Sequence, residues 1–174
     1  IKVAMFSTPE QGFEWLRQLG HTVIDTEAAL VPVKVKEKWV AKLAGVSLGD
    51  AKLTTFLDTK KQSAVAGKLL FTHFGLSGPL VLNQSREIGE LMRYGTVSLA
   101  IDLLPALDQS AADKALQERL KERQNKRVRN GLSGFVPSAL IPVLIELSGV
   151  DPEKPVNVLT RTERLSLIKH AKAL

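Results

Sequence analysis

The sequence predicts an α+β chain in which a strand-rich part with antiparallel pairing comes first and a compact helical part follows. Three observations carry this expectation. Leu53, Thr55 and Leu57 alternate with Thr54, Phe56 and Asp58, the period of two expected of a half-buried strand. Val97, Leu99 and Ile101 alternate with Ser98, Ala100 and Asp102 in the same way. Beyond Pro105 the spacing changes, and Ala111, Ala115, Leu116 and Leu120 recur as the apolar stripe of a helix. The expected divisions are a helical lead-in over residues 1–27, a strand-rich part over 28–106 and a helical part over 107–174. No repeat or low-complexity stretch is present.

Taken in order, Phe13, Leu16 and Leu19 predict a helix over residues 12–20 that stops at Gly20, with Trp15 expected in core or interface packing. An acidic turn at residues 25–27 precedes ALVPVKV, residues 29–35, which reads as a strand with Pro32 at an edge or bulge. Residues 38–43 predict one helical turn, and Gly49-Asp50 a reverse turn. Residues 52–58 and 63–71 pair as a hairpin through a turn at 58–62. A helix opens at Pro79, carries Val81, Gln84, Ile88 and Leu91 on one side and ends near Gly95, before a strand over 96–103. Ser110 with Asp113 makes an N-cap pair for a helix that reaches about Arg127, and residues 128–134, with two glycines, form a loop. Leu140, Ile141, Val143, Leu144 and Ile145 mark a buried helix over 137–147, delayed or kinked at Pro142 and ended by Gly149. The last helix begins at Thr160, which forms a capping box with Glu163.

The stretch that organises the rest is residues 67–86, GKLLFTHFGLSGPLVLNQSR. Its apolar opening breaks into Thr72-His73-Phe74-Gly75-Leu76-Ser77-Gly78 before Pro79 starts a helix. Proline suits that position because its missing N–H would have no intrahelical acceptor there, and Gly75 and Gly78 allow backbone angles that side chains forbid. A strand, a glycine-punctuated loop and a helix N-terminus aim unpaired N–H groups and the positive end of a helix dipole at one spot, beside Thr72, His73 and Ser77. Such a spot suits an anion or an electron-rich ring edge. The plainer alternative is that the glycines only make a tight connection while His73 hydrogen-bonds a neighbouring carbonyl.

The wording of this stretch resembles the THFGxSGP signature of the bacterial BaiN/YhiN-type NAD(P)/FAD-dependent oxidoreductases. Other pieces agree in order: Leu19-Gly20-His21-Thr22-Val23, then Ala29-Leu30-Val31-Pro32-Val33, then Leu43-Ala44-Gly45-Val46-Ser47-Leu48, and, after the signature, Ser85-Arg86 and Thr162-Glu163-Arg164-Leu165. The likeness spans nearly the whole chain. It implies that the strands curl into a small barrel-like sheet with a helical subdomain set against it. It departs in the lead-in, where the family's G-S-T-G-D-G-Y pattern is replaced by Ser7-Thr8-Pro9-Glu10-Gln11-Gly12-Phe13, so no flavin contact is carried over there. The G-x-G-x-x-G turn that seats FAD in the family does not occur in these residues.

Composition bounds the chemistry. Cysteine is absent and the three histidines are scattered, so no disulfide, thiol nucleophile or metal site is expected. No apolar run approaches the ~20 residues that cross a bilayer, and the first residues show no signal-peptide pattern, so a cytoplasmic location without a membrane partner is expected. The net charge of +6 is partly gathered in Lys34, Lys36, Lys38 and Lys42, and in Arg119, Lys121, Arg123, Lys126, Arg127 and Arg129. Glu118 and Glu122 are interleaved with the second group, and aromatics make up only 5%, leaving few platforms for stacking bases. These charges therefore read as solvated faces, and no nucleic-acid partner is expected. His170, between Lys169 and Lys172, reads as a surface residue.

No nucleophile, base and orienting group can be assembled from the spacing, so no catalytic residue is assigned. The resemblance implies FAD in the full-length protein, with this chain as an insert domain that covers the flavin and shapes the pocket for a small-molecule substrate. Its partner is then the FAD-binding domain of the same polypeptide, and the isolated chain is expected to hold no FAD and to be inactive. The residues expected to face substrate or flavin are Thr72, His73, Gly75, Ser77 and Gly78. Two other readings stand beside this one: a basic nucleic-acid-binding module and a purely structural interdomain spacer.

Overall fold

The computed structural model describes residues 9–24 and 30–174. The acidic turn at 25–27 and the first residue of the expected strand 29–35 lie outside them. Five strands, β1 (Val33–Lys34), β2 (Ser47–Leu57), β3 (Lys60–Phe71), β4 (Gly75–Ser77) and β5 (Val97–Asp102), make one antiparallel sheet. Its order is β1-β4-β3-β2-β5, and it curls into a half-barrel. The α+β class and the barrel-like sheet are thus as expected.

The sheet follows from the period-two pattern, because one face buries Ala51, Leu53 and Thr55 of β2 together with Ile101 of β5, while their neighbours look outward. Gly49 and Asp50 do not form the expected reverse turn. They lie inside β2, where three steps from Leu48 to Ala51 are matched by two from Leu69 to Gly67 on β3, so the extra residue is taken up as a bulge. The strand 29–35 shortens to the two residues of β1.

Helix α1 (Pro9–Gln18) ends at Gly20, whose φ of +86° is the left-handed stop expected there. Its Trp15 is 57% exposed, which rules out the core position for that ring. Helix α2 (Pro79–Leu91) lies against β3 and buries Leu80, Val81 and Ile88. Helices α3 (Gln109–Lys121), α4 (Val128–Gly131), α5 (Ile141–Ser148) and α6 (Arg161–Lys172) form the helical part. Two predictions change here, and the delayed start expected at Pro142 is seen. The α3 N-cap is Asp108, whose carboxylate accepts from the Ala111 N–H at 2.7 Å, so Asp113 is free to bind Arg164 and Gln117 instead. The loop expected at 128–134 begins with the short helix α4, anchored by the fully buried Val128 and Leu132. A 3-10 turn, Ser138–Leu140, precedes α5, and Pro142 falls in the first turn of that helix, where it costs no backbone bond.

A single apolar cluster runs from Phe71, Leu53 and Leu69 of the sheet to Leu116, Leu144, Leu167 and Ile168 of the helices, each side chain contributing about 1.5–3 kcal/mol by its burial. Polar ties fix how the two parts meet. Lys172 of α6 donates to Asp102 of β5 at 2.6 Å and to the Leu104 and Leu107 carbonyls, and both side chains of that ion pair are more than four-fifths covered. Arg164 reaches Asp113 at 2.7 Å and holds its carboxyl below the usual range, chiefly by this hydrogen bond.

The start of α6 carries the predicted capping box: Thr160 Oγ1 accepts from the Glu163 N–H at 3.2 Å, and Glu163 accepts from the Thr160 N–H at 2.8 Å. Lys154 adds a bond at 2.7 Å, and with Thr160 it lowers the Glu163 pKa to about 2. That folded value lies below the ordinary 4.5, so ionised Glu163 stabilises the fold above about pH 4.5. This contribution is lost as pH falls toward 2. Urea unfolding should show Thr160→Ala costing about 1 kcal/mol at neutral pH. Glu163→Gln should flatten the decline in midpoint between pH 4.5 and 2, and an unchanged slope would mean that the cap does not bind the carboxylate.

Candidate functional site: the hairpin before α2

The signature stretch folds as a two-residue β-hairpin. β3 and β4 pair Leu70 with Ser77 and Phe71 with Leu76, and the Thr72 N–H donates to the Gly75 carbonyl at 2.8 Å, which leaves His73 and Phe74 at the apex. The Gly75 N–H donates to Thr72 Oγ1 at 3.1 Å, and the Val35 N–H to the Phe74 carbonyl at 3.2 Å. The expected open loop with several unpaired amides is therefore corrected at Thr72 and Gly75, whose N–H groups are used within the hairpin. Pairing of β4 with both β3 and β1 converts the loop into sheet.

Both glycines have a steric reason. A Cβ on Gly75 would run into the Val33 carbonyl oxygen and stand 2.9 Å from the Lys34 Cα, because β1 crosses directly over it. Gly78 combines a φ of +89° with a Cβ position 2.9 Å from the Leu70 nitrogen and 3.1 Å from the Lys68 oxygen. The tight-connection reading thus accounts for Gly75 and Gly78, and the Thr72 hydroxyl is engaged in the turn.

His73 and Ser77 remain open to a partner. His73 is exposed, its ring edge-to-face with the 40%-exposed Phe74 at 5.0 Å between centroids. Ser77 is half-buried, and its hydroxyl has no hydrogen-bond partner among the described residues. Beyond Ser77, α2 starts without a side-chain cap and without an acid in its first turn, so its positive end is not neutralised by its own first residues. A pyrophosphate needs a glycine-rich turn with several free N–H groups. With Gly75 and Gly78 packed on neighbouring backbone and the Thr72 and Gly75 amides committed, these residues do not by themselves fit the phosphates of FAD.

A second feature escaped the sequence reading. The edges of the half-barrel, β1 and β5, flank an apolar cleft of about 550 Å³ lined by Val33, Val35, Trp39, Leu99 and Ile101, and also by Met92 and His170. Of the signature only Leu76 reaches it, while Thr72, His73, Gly75, Ser77 and Gly78 do not. His170 is half-buried there, a correction to its surface assignment: its Nδ1 lies 2.9 Å from the Ser166 carbonyl oxygen and 3.3 Å from the Ser148 hydroxyl. The i to i−4 spacing of His170 and Ser166 was visible in the sequence, but the strand edge opposite it was not.

The charge groups are also resolved. Arg127 and Arg129 share Glu153 at 3.3 and 2.6 Å, and Arg119 and Arg123 donate to the Ser133 and Asn130 carbonyls at 2.8 and 3.0 Å. Among the described residues no His, Asp and Glu cluster could hold a metal ion, and no helix is long and apolar enough to cross a membrane.

Residues 27–174 match the family described as HI0933-like protein barrel and H2TH domain. The chain belongs to that family. Relatives include the 3-dehydro-bile acid delta(4,6)-reductase of Clostridium scindens, 32% identical over 92% of this chain. They also include the ribosomal RNA dihydrouridine synthases of Escherichia coli, 28% identical over 90%, and Haemophilus influenzae, 29% identical over 84%. The matched region covers 39, 36 and 34% of these three proteins, so the chain spans little more than a third of the relatives it matches. The kinship drawn from residues 72–79 and their flanking pieces holds.

The steric reading of the glycines separates two substitutions. Gly75→Ala should destabilise the fold by more than about 2 kcal/mol in urea unfolding, because backbone must move. Gly89→Ala, on the exposed side of α2 with open space around it, should stabilise by roughly 0.5–1 kcal/mol. Equal effects would show that β1 does not press on Gly75.

Proposed function

We propose that this chain is the substrate-side insert domain of an FAD-dependent, NAD(P)-linked reductase, with its nucleotide-binding parts elsewhere in the polypeptide. Three observations support this reading: the family membership, the reductase name of the 32%-identical relative, and the fraction of that relative's length matched here. The names of the relatives share a chemistry, since reducing a conjugated steroid and making dihydrouridine from uridine both saturate a carbon–carbon double bond. FAD would supply that redox step. The residues of this chain supply the wall opposite the flavin, and the His73-Phe74 apex, Ser77 and the uncapped start of α2 present donors toward a substrate oxygen.

The observation that carries this role is the pairing pattern of the hairpin. Sheet bonds hold its two arms rigid while His73 and Ser77 keep polar atoms unspent. In the full-length protein, His73→Ala and Ser77→Ala should each lower kcat/KM by about tenfold, the worth of one hydrogen bond of about 1.4 kcal/mol, without changing flavin content. Unaltered turnover in both variants would remove the hairpin from the site. The isolated chain should purify without FAD, and a yellow preparation with stoichiometric flavin would contradict the division of labour.

A second reading takes RNA as the macromolecule that carries the reduced base. It is favoured by the two relatives named ribosomal RNA dihydrouridine synthase and by Arg119 and Arg123, which donate to carbonyl oxygens and are not paired with a carboxylate among the described residues. Two phosphate contacts would make duplex RNA affinity fall roughly twelve-fold between 50 and 200 mM salt. A flat salt series would leave the small-molecule reading alone.

A further inference from the structure

The helical part carries a concavity of its own, apart from the cleft between β1 and β5 and from the hairpin. The last turn of α3, the segment after it and a 3-10 turn at Val156–Val158 enclose about 270 Å³. Its floor is apolar: Leu120, Val156 and Leu159 line it, the first two more than nine-tenths covered. Main-chain bonds fix that floor, since the Val156 N–H donates to the Lys126 carbonyl at 2.9 Å and the Val128 N–H to the Lys154 carbonyl at 2.9 Å. The pocket is therefore built before anything enters it.

The rim is polar. Lys121, Gln124 and Asn157 are exposed, and none of the three side chains has a hydrogen bond or ion pair among the described residues. Gln117 extends the wall; its Nε2 donates to Asp113 at 2.8 Å, which leaves its Oε1 as an acceptor. Arg164, the other charged residue of the wall, is held by Asp113 at 2.7 Å, so Lys121 is the cation without a paired carboxylate, and no carboxylate lines the pocket. Arg119 and Arg123 reach elsewhere, to the Ser133 and Asn130 carbonyls, so this pocket is separate from the charges already assigned to RNA. A lone cation would take any anion. Two primary amides beside an apolar floor ask for more: each sets a donor next to an acceptor, the complement of a ring edge that alternates carbonyl and N–H. A uracil ring has that edge, and its flat face suits the floor. The volume lies just below the ~300 Å³ at which pockets for drug-sized ligands begin, which favours one ring over two.

We propose that this pocket seats one unpaired uridine nucleotide, its ring on Leu120, Val156 and Leu159, its edge paired with Gln124 and Asn157 and its phosphate on Lys121. This rests on the RNA reading above and deepens it, because an unpaired base leaves its edge free for side chains to read. No aromatic residue lines the pocket, so the base is held through its edge and not by stacking. An RNA strand and a free uridine monophosphate offer the same ring and phosphate, and the two probes below tell them apart.

The test titrates the full-length protein with a labelled single-stranded oligouridylate and, separately, with uridine monophosphate. Gln124→Ala and Asn157→Ala should each weaken oligouridylate binding about fivefold, the worth of one lost hydrogen bond, with unchanged salt dependence. Lys121→Met should also weaken it and should reduce the slope of log affinity against log salt by about 0.7, as expected for one phosphate contact on a single strand. All three side chains are exposed, so urea midpoints should match that of the unaltered protein. Oligouridylate binding that is the same in all three variants overturns the pocket and leaves the RNA reading standing. Uridine monophosphate binding that the variants weaken, with no binding of the strand, supports the pocket while sinking the RNA reading. Binding of neither probe sinks both.

Discussion

The contact on which the rest of the candidate site depends is backbone against backbone, where β1 crosses Gly75. No side chain intervenes there, since a Cβ would meet the Val33 carbonyl. Close approach lets β1 pair Val33 with Leu76 and Lys34 with Gly75, and lets the Val35 N–H reach Phe74. Gly78, at a positive φ and close to the Leu70 and Lys68 backbone, then redirects the chain into α2. The direction of the hairpin and of the helix start are thereby set by main-chain geometry, which is less easily disturbed than a rotamer. Ser85 reinforces the arrangement: its hydroxyl donates to the Leu82 carbonyl at 2.8 Å and accepts from the Val31 N–H at 3.2 Å, tying the segment before β1 to α2.

Electrostatics acts at the seam between sheet and helices. The Lys172 ammonium is surrounded by the Asp102 carboxylate and two carbonyl oxygens, so the charge taken from water at the end of β5 is matched by acceptors on the loop into α3. Arg164 with Asp113 does the same between α6 and α3. The last helix therefore serves both parts. It packs Leu167 and Ile168 into the core and carries the polar groups that hold its end beside β5.

Much of this was legible in the sequence because local rules and tertiary structure agree. The alternation around Leu53 and Ile101, the capping box at Thr160, the stop at Gly149 with its φ of 67° and the helix start at Pro79 each rest on interactions within a few residues. The errors share an opposite cause. Gly49-Asp50 became a bulge because both flanking segments already had a partner in β3, and the Thr72 to Gly78 loop became a strand because β1, more than forty residues away, supplied the other half of its ladder. Asp108 rather than Ser110 caps α3, which leaves Asp113 to Arg164, a residue distant in sequence. The cleft and the place of His170 in it come from several segments that no spacing rule connects.

Functionally, the hairpin combines a rigid base with an exposed tip, the arrangement expected of a domain that presents polar groups to a partner across a cleft. The account stands or falls with the bonds that clamp the base. Hydrogen exchange of the full-length protein, read at single amides, measures them directly. The account predicts that the Val35, Thr72 and Gly75 amides exchange at least a hundredfold slower than unprotected amides, consistent with their acceptors at 3.2, 2.8 and 3.1 Å. Exchange of all three at nearly the unprotected rate would show that the stretch is an open loop and that β1 does not lock it.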